Sequence, residues 1–212
     1  MANITSIDLG SNSFRVLVYD CKKHICLGSF EQAVGTANML EQTNKISQEA
    51  IDKIINAINT SIKKLHYTPQ KAIAKTTQAM RKATNSKEVI DYIYDKTGVK
   101  FEIIKPVEEA RLTLLAVIYA LKREKLNDKQ FVLVDIGGGS TELIIKNKYK
   151  IYKKSFEVGI ITLTQTKNNQ EVLLEYKNKM IEFLNSYNLD FDKFDFIATA
   201  GTRSEEHTSE LQ

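Results

Sequence analysis

The feature that most constrains the fold is a short pattern that occurs twice in the chain. In each copy a β-type apolar segment ends on an aspartate, which is followed by an apolar residue, a glycine, two small residues and a serine. The copies are IDLGSNS at residues 7–13 and VDIGGGS at residues 134–140. Because β-type residues resume after each serine, the pattern predicts two strand–turn–strand units at corresponding points of two similar halves.

The segments around the two copies have the same predicted order, which is three strands, a helix and a further strand. In the first half the strands are expected at 3–9, 14–19, 25–30 and 71–76, and the helix at 47–66. In the second half the strands are expected at 131–136, 141–146, 149–156 and 194–200, and the helix at 171–187. This repetition predicts a duplicated α/β architecture with a cleft between the halves.

Further elements are predicted between these segments. Residues 78–97 are expected to form one or two helices and residues 99–104 a strand, and Pro106 stands where a helix would begin. The expected buried stripe of that last helix consists of Leu114, Leu115, Ile118 and Leu121.

The polar stretch Lys122–Lys129 is the best candidate for a domain boundary. It predicts a first domain at 1–124 and the beginning of a second domain at 125–202. The last ten residues, 203–212, continue no pattern in the chain and read like a translated sequencing adapter, so they are interpreted as a non-native tail. On this interpretation the second domain is truncated, and we expect the 212-residue chain to be poorly soluble or inactive.

Composition excludes several classes of protein. Of the 212 residues, 42% are hydrophobic and 26% are charged, which is typical of a globular chain and argues against disorder. The two cysteines, Cys21 and Cys26, cannot form a four-cysteine zinc site and indicate a reducing compartment. With no apolar run of about 18 residues and no signal-peptide pattern, we expect a cytoplasmic protein without a membrane partner. The net charge of +4 is compatible with an anionic substrate but too weak to indicate nucleic acid.

The repeated pattern suits the binding of a phosphate chain. Small residues in the turns let backbone N–H groups approach phosphate oxygens, and serine or asparagine side chains add neutral donors. An aspartate at the strand end can hold Mg²⁺ against those phosphates, directly or through water. The pattern is neither a P-loop nor a Rossmann fingerprint, because both place the glycine-rich turn before a helix. A single such turn is usually only a tight turn, whereas two copies favour a phosphate clamp.

Five segments together resemble the exopolyphosphatase / guanosine pentaphosphate phosphohydrolase family, which belongs to the actin-like ATPase and sugar kinase superfamily. They are DLGSNSFR at 8–15, TTQAMR at 76–81, EEARL at 108–112, DIGGGSTEL at 135–143 and ATAGT at 198–202. The resemblance covers Ala2–Thr202. It implies an α/β fold of duplicated actin-like (ribonuclease H-like) domains, with mixed sheets flanked by helices. Many members carry Ser-Gly where this chain has Lys105-Pro106-Val107 before the two glutamates.

The resemblance also implies a reaction, which is release of a terminal phosphate from inorganic polyphosphate or guanosine pentaphosphate with Mg²⁺. Glu109 matches the catalytic glutamate that orients or deprotonates the attacking water, and Arg81 matches an arginine facing the phosphates. Asp135 and Glu142 match acidic residues near the metal, and the turn pattern adds Asp8 to this set. The residues expected to bind phosphate are Gly10, Ser11, Asn12, Ser13, Arg15, Gly137, Gly138, Gly139, Ser140 and Thr141.

Each assignment has a simpler alternative. Glu109 is also explained as a solvated acid in the first turn of a helix, and Arg81 as a member of a surface ion pair. Glu142 fits an outward-facing strand residue, and Asp8 can stabilise its own turn. Two other functions stay open: a sugar or acetate kinase, for which no acceptor pocket or adenosine segment is evident, and a non-catalytic nucleotide or alarmone sensor. Association into a homodimer is also left open.

Overall fold

The computed structural model describes residues 3–200, so the proposed tail at 203–212 lies outside the described residues. The strands are β1 (Asn3–Leu9), β2 (Ser13–Asp20), β3 (Ile25–Ala33), β4 (Ile73–Thr76), β5 (Phe101–Ile103), β6 (Phe131–Ile136), β7 (Thr141–Lys146), β8 (Ile151–Phe156) and β9 (Asp195–Ala200). The α-helices are α1 (Leu40–Thr43), α2 (Gln48–Leu65), α3 (Gln78–Lys82), α4 (Ser86–Thr97), α5 (Pro106–Arg123), α6 (Ile160–Gln165) and α7 (Asn169–Asn185). Short 3₁₀ turns occur at Pro69–Lys71 and Phe191–Lys193.

The strands form two sheets of the same topology. The first has the order β3-β2-β1-β4-β5, in which β1, β2 and β3 are antiparallel neighbours and β4 and β5 run parallel to β1. The second has the order β8-β7-β6-β9, again with three antiparallel strands followed by a parallel one. Four strands of the second sheet therefore correspond one to one with strands of the first, which confirms the duplicated α/β architecture.

Helices α2 and α4 cover one face of the first sheet. Ser47 begins α2 as its N-cap, because its hydroxyl accepts a hydrogen bond of 3.2 Å from the N–H of Ala50. The apolar residues that recur at helical spacing, Ile54 and Ile58 among them, are buried against the sheet. The predicted helical region at 78–97 is divided into α3 and α4, and Pro106 is the first residue of α5 as expected.

Helix α5 packs on the second sheet, although it precedes the predicted boundary in the chain. Its buried residues are Ala110, Leu114 and Val117, and they contact Phe131, Leu133 and Ile144. Leu115 was expected in this stripe but is 50% exposed, because the stripe follows the i, i+4, i+7 spacing and Leu115 lies on another side of the helix. The opposite face of the second sheet packs on α7, with Phe156 and Phe183 in edge-to-face contact.

Two lobes follow from this packing. We call residues 3–105 the first lobe and residues 106–200 the second lobe. Helix α5 lies between the outer face of the first sheet and the second sheet, since Tyr19 on β2 and Tyr119 on α5 bring their hydroxyls to 3.0 Å. Elsewhere a cleft separates the outer face of the first sheet from α5, because residues of both line one cavity. None of the helices within the described residues has the length and apolarity needed to span a membrane.

Candidate functional site

The two copies of the repeated pattern form turns of the same geometry. In the first hairpin turn, Gly10–Ser13, the N–H of Gly10 donates to the carbonyl of Ser13 at 2.9 Å. In the second hairpin turn, Gly137–Ser140, the N–H of Gly137 donates to the carbonyl of Ser140 at 2.8 Å. The two similar sequences thus form hairpin turns closed by the same backbone hydrogen bond, at the ends of β1 and β6.

A neighbouring segment binds the carbonyls of each turn. The carbonyl of Asn12 accepts from the N–H groups of Val34 and Gly35 at 2.8 and 2.9 Å, and Ala37 donates similarly to Ser11. In the second lobe, the segment that begins α6 has this role. The N–H of Ile160 donates to Gly137 at 3.1 Å, and that of Ile161 donates to Gly138 at 2.8 Å.

These carbonyl contacts determine where the N–H groups of the turns point. In a planar trans peptide the carbonyl of one residue and the N–H of the next lie on opposite sides. The N–H groups of Asn12, Gly138 and Gly139 therefore point away from the supporting segments. Within residues 3–200 none of these three N–H groups has a hydrogen-bond partner. Converging backbone donors of this kind form a binding site for anions.

The two hairpin turns contact each other across the lobes. A Cβ added to Gly138 would lie 3.1 Å from the Cβ of Ser11 and 3.4 Å from the nitrogen of Asn12. A Cβ on Gly159, in the segment that supports the second turn, would lie 2.5 Å from backbone atoms of Gly138 and Gly139. Glycine is required at position 159, because a side chain there would force the backbones apart, whereas a Cβ at position 138 would be tight and would need its neighbours to move slightly.

A cavity of about 830 Å³ opens at the junction of the turns. Its lining includes most of the residues expected from the sequence, namely Asp8, Gly10, Ser11, Asn12, Ser13, Arg15, Glu109, Asp135, Gly137, Gly138, Gly139, Ser140 and Glu142. Two expected residues lie outside the lining. Thr141 donates its hydroxyl to the carbonyl of Val158 at 2.6 Å and supports the turn, while Arg81 lies behind Glu109.

Glu109 and Arg81 form an ion pair between the lobes. Arg81 Nη1 donates to Glu109 Oε2 at 3.0 Å and also to the carbonyl of Ile104 at 2.7 Å. Both side chains are less than one fifth exposed, at 18% for Arg81 and 19% for Glu109. Burial raises the pKa of the Glu109 carboxyl, while Arg81 opposes this rise and the negative charge of Asp8 adds to it. Glu109 is thus a partly buried carboxylate held by one cation, and the surface-acid alternative does not describe it.

Asp135 and Glu142 are neighbours in the second sheet and face the same cavity. Asp135 accepts hydrogen bonds from the hydroxyls of Thr199 at 2.6 Å and Thr113 at 3.1 Å. Glu142 is 2% exposed and accepts a hydrogen bond from Ser155 at 2.8 Å. Burial, with a further contribution from the charge of Glu109, raises the pKa of Glu142 from 4.5 to about 7. Glu142 is therefore a buried acid and not an outward-facing strand residue.

Asp8 has a different environment. Its carboxylate lies 3.7 Å from Arg15, which also donates to Glu31 at 2.9 Å. Desolvation in the cleft raises the pKa of Asp8; the positive charge of Arg15 opposes this rise, and Asp135 adds to it. The charge of Asp135 in the second lobe therefore acts on Asp8 in the first lobe across the cavity.

These acidic groups suit a metal that is only partly enclosed by protein. Within residues 3–200, no three or more His, Cys, Asp or Glu side chains are grouped closely enough to hold a metal ion. Mg²⁺, however, commonly takes one or two carboxylates and completes its shell with water and substrate phosphates. Carboxylates that raise one another's pKa beside an anion-binding turn have the chemistry for that open mode.

Several supporting residues were not foreseen from the sequence. Thr113 and Thr199, which bind Asp135, carry no local signal, because α5 and β9 approach β6 only in the folded chain. The segment that begins α6 was also missed. Its one local signal is Gly159, a glycine directly before a short apolar run.

The fold and the paired turns define the class: this is a protein of the duplicated actin-like α/β fold. An ethanolamine utilization protein EutJ from Carboxydothermus hydrogenoformans shares this fold, with a TM-score of 0.53 at 14% identity over 94% of this chain and 76% of that protein. The chain belongs to the Ppx/GppA phosphatase family, whose family profile matches residues 17–189.

Individual relatives agree with this assignment. Exopolyphosphatase 1 of Mycobacterium leprae is 32% identical over 141 residues, which are 65% of this chain and 41% of that protein. The crystal structure of an exopolyphosphatase from Cytophaga hutchinsonii superposes with a TM-score of 0.76 at 25% identity, over 92% of this chain and 66% of that one. A bifunctional 3-dehydroquinate synthase/phosphatase of Fusobacterium nucleatum is 29% identical over 93% of this chain and 32% of that protein. The chain thus spans about two fifths or less of the curated relatives it matches.

Proposed function

We propose that this chain carries the phosphate-binding and catalytic cleft of an exopolyphosphatase-type phosphohydrolase. The reaction is release of terminal orthophosphate from inorganic polyphosphate, by attack of water on the last phosphoanhydride bond. The observation that carries the proposal is the meeting of two hairpin turns, with N–H groups unpaired in the described chain, in one cavity with Glu109. The exopolyphosphatase relatives favour polyphosphate as substrate, and guanosine pentaphosphate, which offers a similar terminal group, is the second choice.

The roles of the residues follow from their charge and place. The turns hold the phosphate chain through backbone N–H groups and the hydroxyls of Ser11 and Ser140, and Arg15 adds a positive charge from β2. Glu109 orients the attacking water and accepts its proton, for which a carboxylate with a raised pKa is well suited. Arg81, from its place behind Glu109, keeps the Glu109 carboxylate in position. Positioning and charge compensation are the main requirements of phosphoryl transfer.

We further propose that Asp135 and Glu142, with Asp8 opposite, hold Mg²⁺ beside the turns. The ion would neutralise phosphate charge when it is bound. In its absence the pKa values of Glu142 and Asp8 are raised, mainly by burial and further by the charges of neighbouring carboxylates. Proton uptake then removes the charge of Glu142, and hydrogen bonds from Thr113 and Thr199 stabilise the carboxylate of Asp135.

Phosphate release by the full gene product tests this function. Polyphosphate, guanosine pentaphosphate and ATP are compared for wild type, Glu109→Gln and the control Glu49→Gln, which changes an exposed first-turn glutamate of α2. We expect release from polyphosphate to fall by about 10²-fold or more in Glu109→Gln, with tripolyphosphate binding retained, and to be unchanged in the control. Binding without release from any substrate would favour a sensor. ADP formation only in the presence of a sugar would favour a kinase.

A further inference from the structure

A buried glutamine of the first lobe lies against the second hairpin turn. Gln78 is the first residue of α3 and is 7% exposed. A Cβ built on Gly139 would lie 1.5 Å from Gln78 Oε1 and 2.7 Å from its Cδ, so the amide fills the space beside this glycine. The contact joins the two lobes at the point where their turns meet.

The nitrogen of the same amide is without a partner. Gln78 Nε2 is buried and makes no hydrogen bond within the described residues. A primary amide nitrogen carries two donor hydrogens, and a buried donor without an acceptor destabilises the fold. Because Nε2 and Oε1 are bonded to one carbon, this donor lies close to the junction of the hairpin turns, although Gln78 is not among the residues that line the cavity.

Other hydrogen-bond donors lie at the same junction. Ser11 Oγ lies 3.0 Å from the same Cβ position on Gly139, and both residues line the cavity. The N–H groups of Asn12, Gly138 and Gly139 are unpaired in residues 3–200, and four carbonyls of the turns are bound to the supporting segments, those of Ser11, Asn12, Gly137 and Gly138. A ligand rich in anionic oxygens would satisfy these groups together.

We propose that Gln78 is an anion-binding residue of this cleft. A side-chain rotation brings its NH₂ group to an oxygen of the polyphosphate chain between the turns, next to the N–H of Gly139. The inference rests on the proposed function, because it needs the anion to occupy the junction. Gln78 then links substrate binding to the contact between the lobes, since the same amide packs on Gly139.

The competing explanation is that Gln78 only fills space beside Gly139, and the two roles predict different outcomes. Gln78→Met keeps the length of the side chain and removes the amide. Gln78→Glu keeps the shape but replaces the donor with a negative charge. The matched control is Gln48→Met, because Gln48 is also the first residue of a helix but is exposed. Binding of inorganic tripolyphosphate by calorimetry and the urea midpoint are measured for each protein.

We expect Gln78→Met to bind tripolyphosphate about tenfold more weakly, with an equal or higher urea midpoint because a buried unpaired donor is removed. Gln78→Glu should lose measurable binding, and Gln48→Met should bind like wild type. Wild-type affinity in Gln78→Met would overturn the role of Gln78 and leave the proposed function intact. If the methionine variant does not fold, wild-type affinity in Gln78→Glu would do the same. Absence of tripolyphosphate binding by wild type itself overturns both.

Discussion

The two lobes carry the same hairpin turn but a different arrangement of charge beside it. In the first sheet, Asp8 is in register with Arg15 on β2 and Lys75 on β4, and the row ends on each side in a glutamate, Glu31 or Glu102. We call this the first row. In the second row, Asp135 is in register with Glu142 and Thr199, and Ser155 lies beyond Glu142. The first row alternates in sign across five strands, whereas the second contains two acids and two hydroxyls.

This difference indicates a division of roles between similar structures. The turns bind an anion through backbone N–H groups, which do not depend on the side chains in the rows. The charges of the rows are therefore free to diverge. The first lobe compensates its carboxylate with its own cations, and the second lobe leaves two carboxylates whose charge a bound cation would compensate. Burial, with a further contribution from the charge of Glu109, raises the pKa of Glu142 to about 7, and the groups that oppose this rise are the hydroxyls of Ser155 and Ser140 and not a cation.

The largest expected effect is a difference between the two aspartates. If the second row holds the cation, Asp135→Asn should lower phosphate release from polyphosphate by about 10²–10³-fold, because charge compensation at the reacting phosphate is lost. Asp8→Asn should lower release by only about tenfold, because Arg15 already partly compensates the charge at that position. Both variants keep the side-chain shape and are compared at several Mg²⁺ concentrations.

The Asp135 variant should need a larger increase in Mg²⁺ for half-maximal release than the Asp8 variant. An equal loss in the two variants, or a larger loss in Asp8→Asn, would contradict the division of roles while leaving the paired turns in place. Circular dichroism and the urea midpoint identify any variant that is unfolded.

The second expected effect concerns stability and pH. The folded-state pKa of Glu142 is raised to about 7 from 4.5, so its ionisation opposes folding progressively from about pH 4.5 and fully above about pH 7. Glu142→Gln removes this cost. We expect the variant to be about 3 kcal/mol more stable than wild type at pH 8, from 1.36 kcal/mol per pKa unit, with little difference at pH 4.5.

Urea unfolding at the two pH values in the presence of EDTA measures this change. The control Glu175→Gln alters an exposed glutamate of α7 that pairs with Lys179, so its effect should be small and nearly independent of pH. A gain in stability for Glu142→Gln that is equal at both pH values would show that the glutamate is not charged at a cost in the folded protein.

Much of the fold follows from local patterns in the sequence. The strand–turn–strand units, the cap at Ser47 and the start of α5 at Pro106 depend on neighbouring residues, and the structure confirms them. Leu115 was misassigned because helical periodicity identifies an apolar stripe but does not determine which sheet the helix contacts. That choice depends on long-range packing, here of Ala110, Leu114 and Val117 on the second sheet.

For the site, the sequence identifies the residues but not their partners. The repeated sequence pattern identified both turns, and the family resemblance added Glu109 and Arg81, whose side chains form a hydrogen bond of 3.0 Å in the structure. The position of Asp8 opposite Lys75 in the first row depends on the parallel register of β1 and β4, between which β2, β3, α1 and α2 lie in the chain. Contacts that depend on such register carry no local signal, so the contrast between the rows becomes evident only in the structure.

The smallest expected effect is at the edge of the first row. Arg15 and Glu31 are 36% and 56% exposed, so solvent screens their ion pair and Glu31→Gln should change stability by about 0.5 kcal/mol or less. Because the change lessens carboxylate competition for Arg15, tripolyphosphate should bind up to about twofold more tightly.

Ser155→Ala, at the equivalent position of the second row, instead removes a hydrogen bond to the buried Glu142 and should lower the free energy of unfolding by about 1 kcal/mol. Urea unfolding and calorimetry compare the two variants, and a larger loss of stability in Glu31→Gln would mean that the first row, and not the second, depends on its side-chain partners.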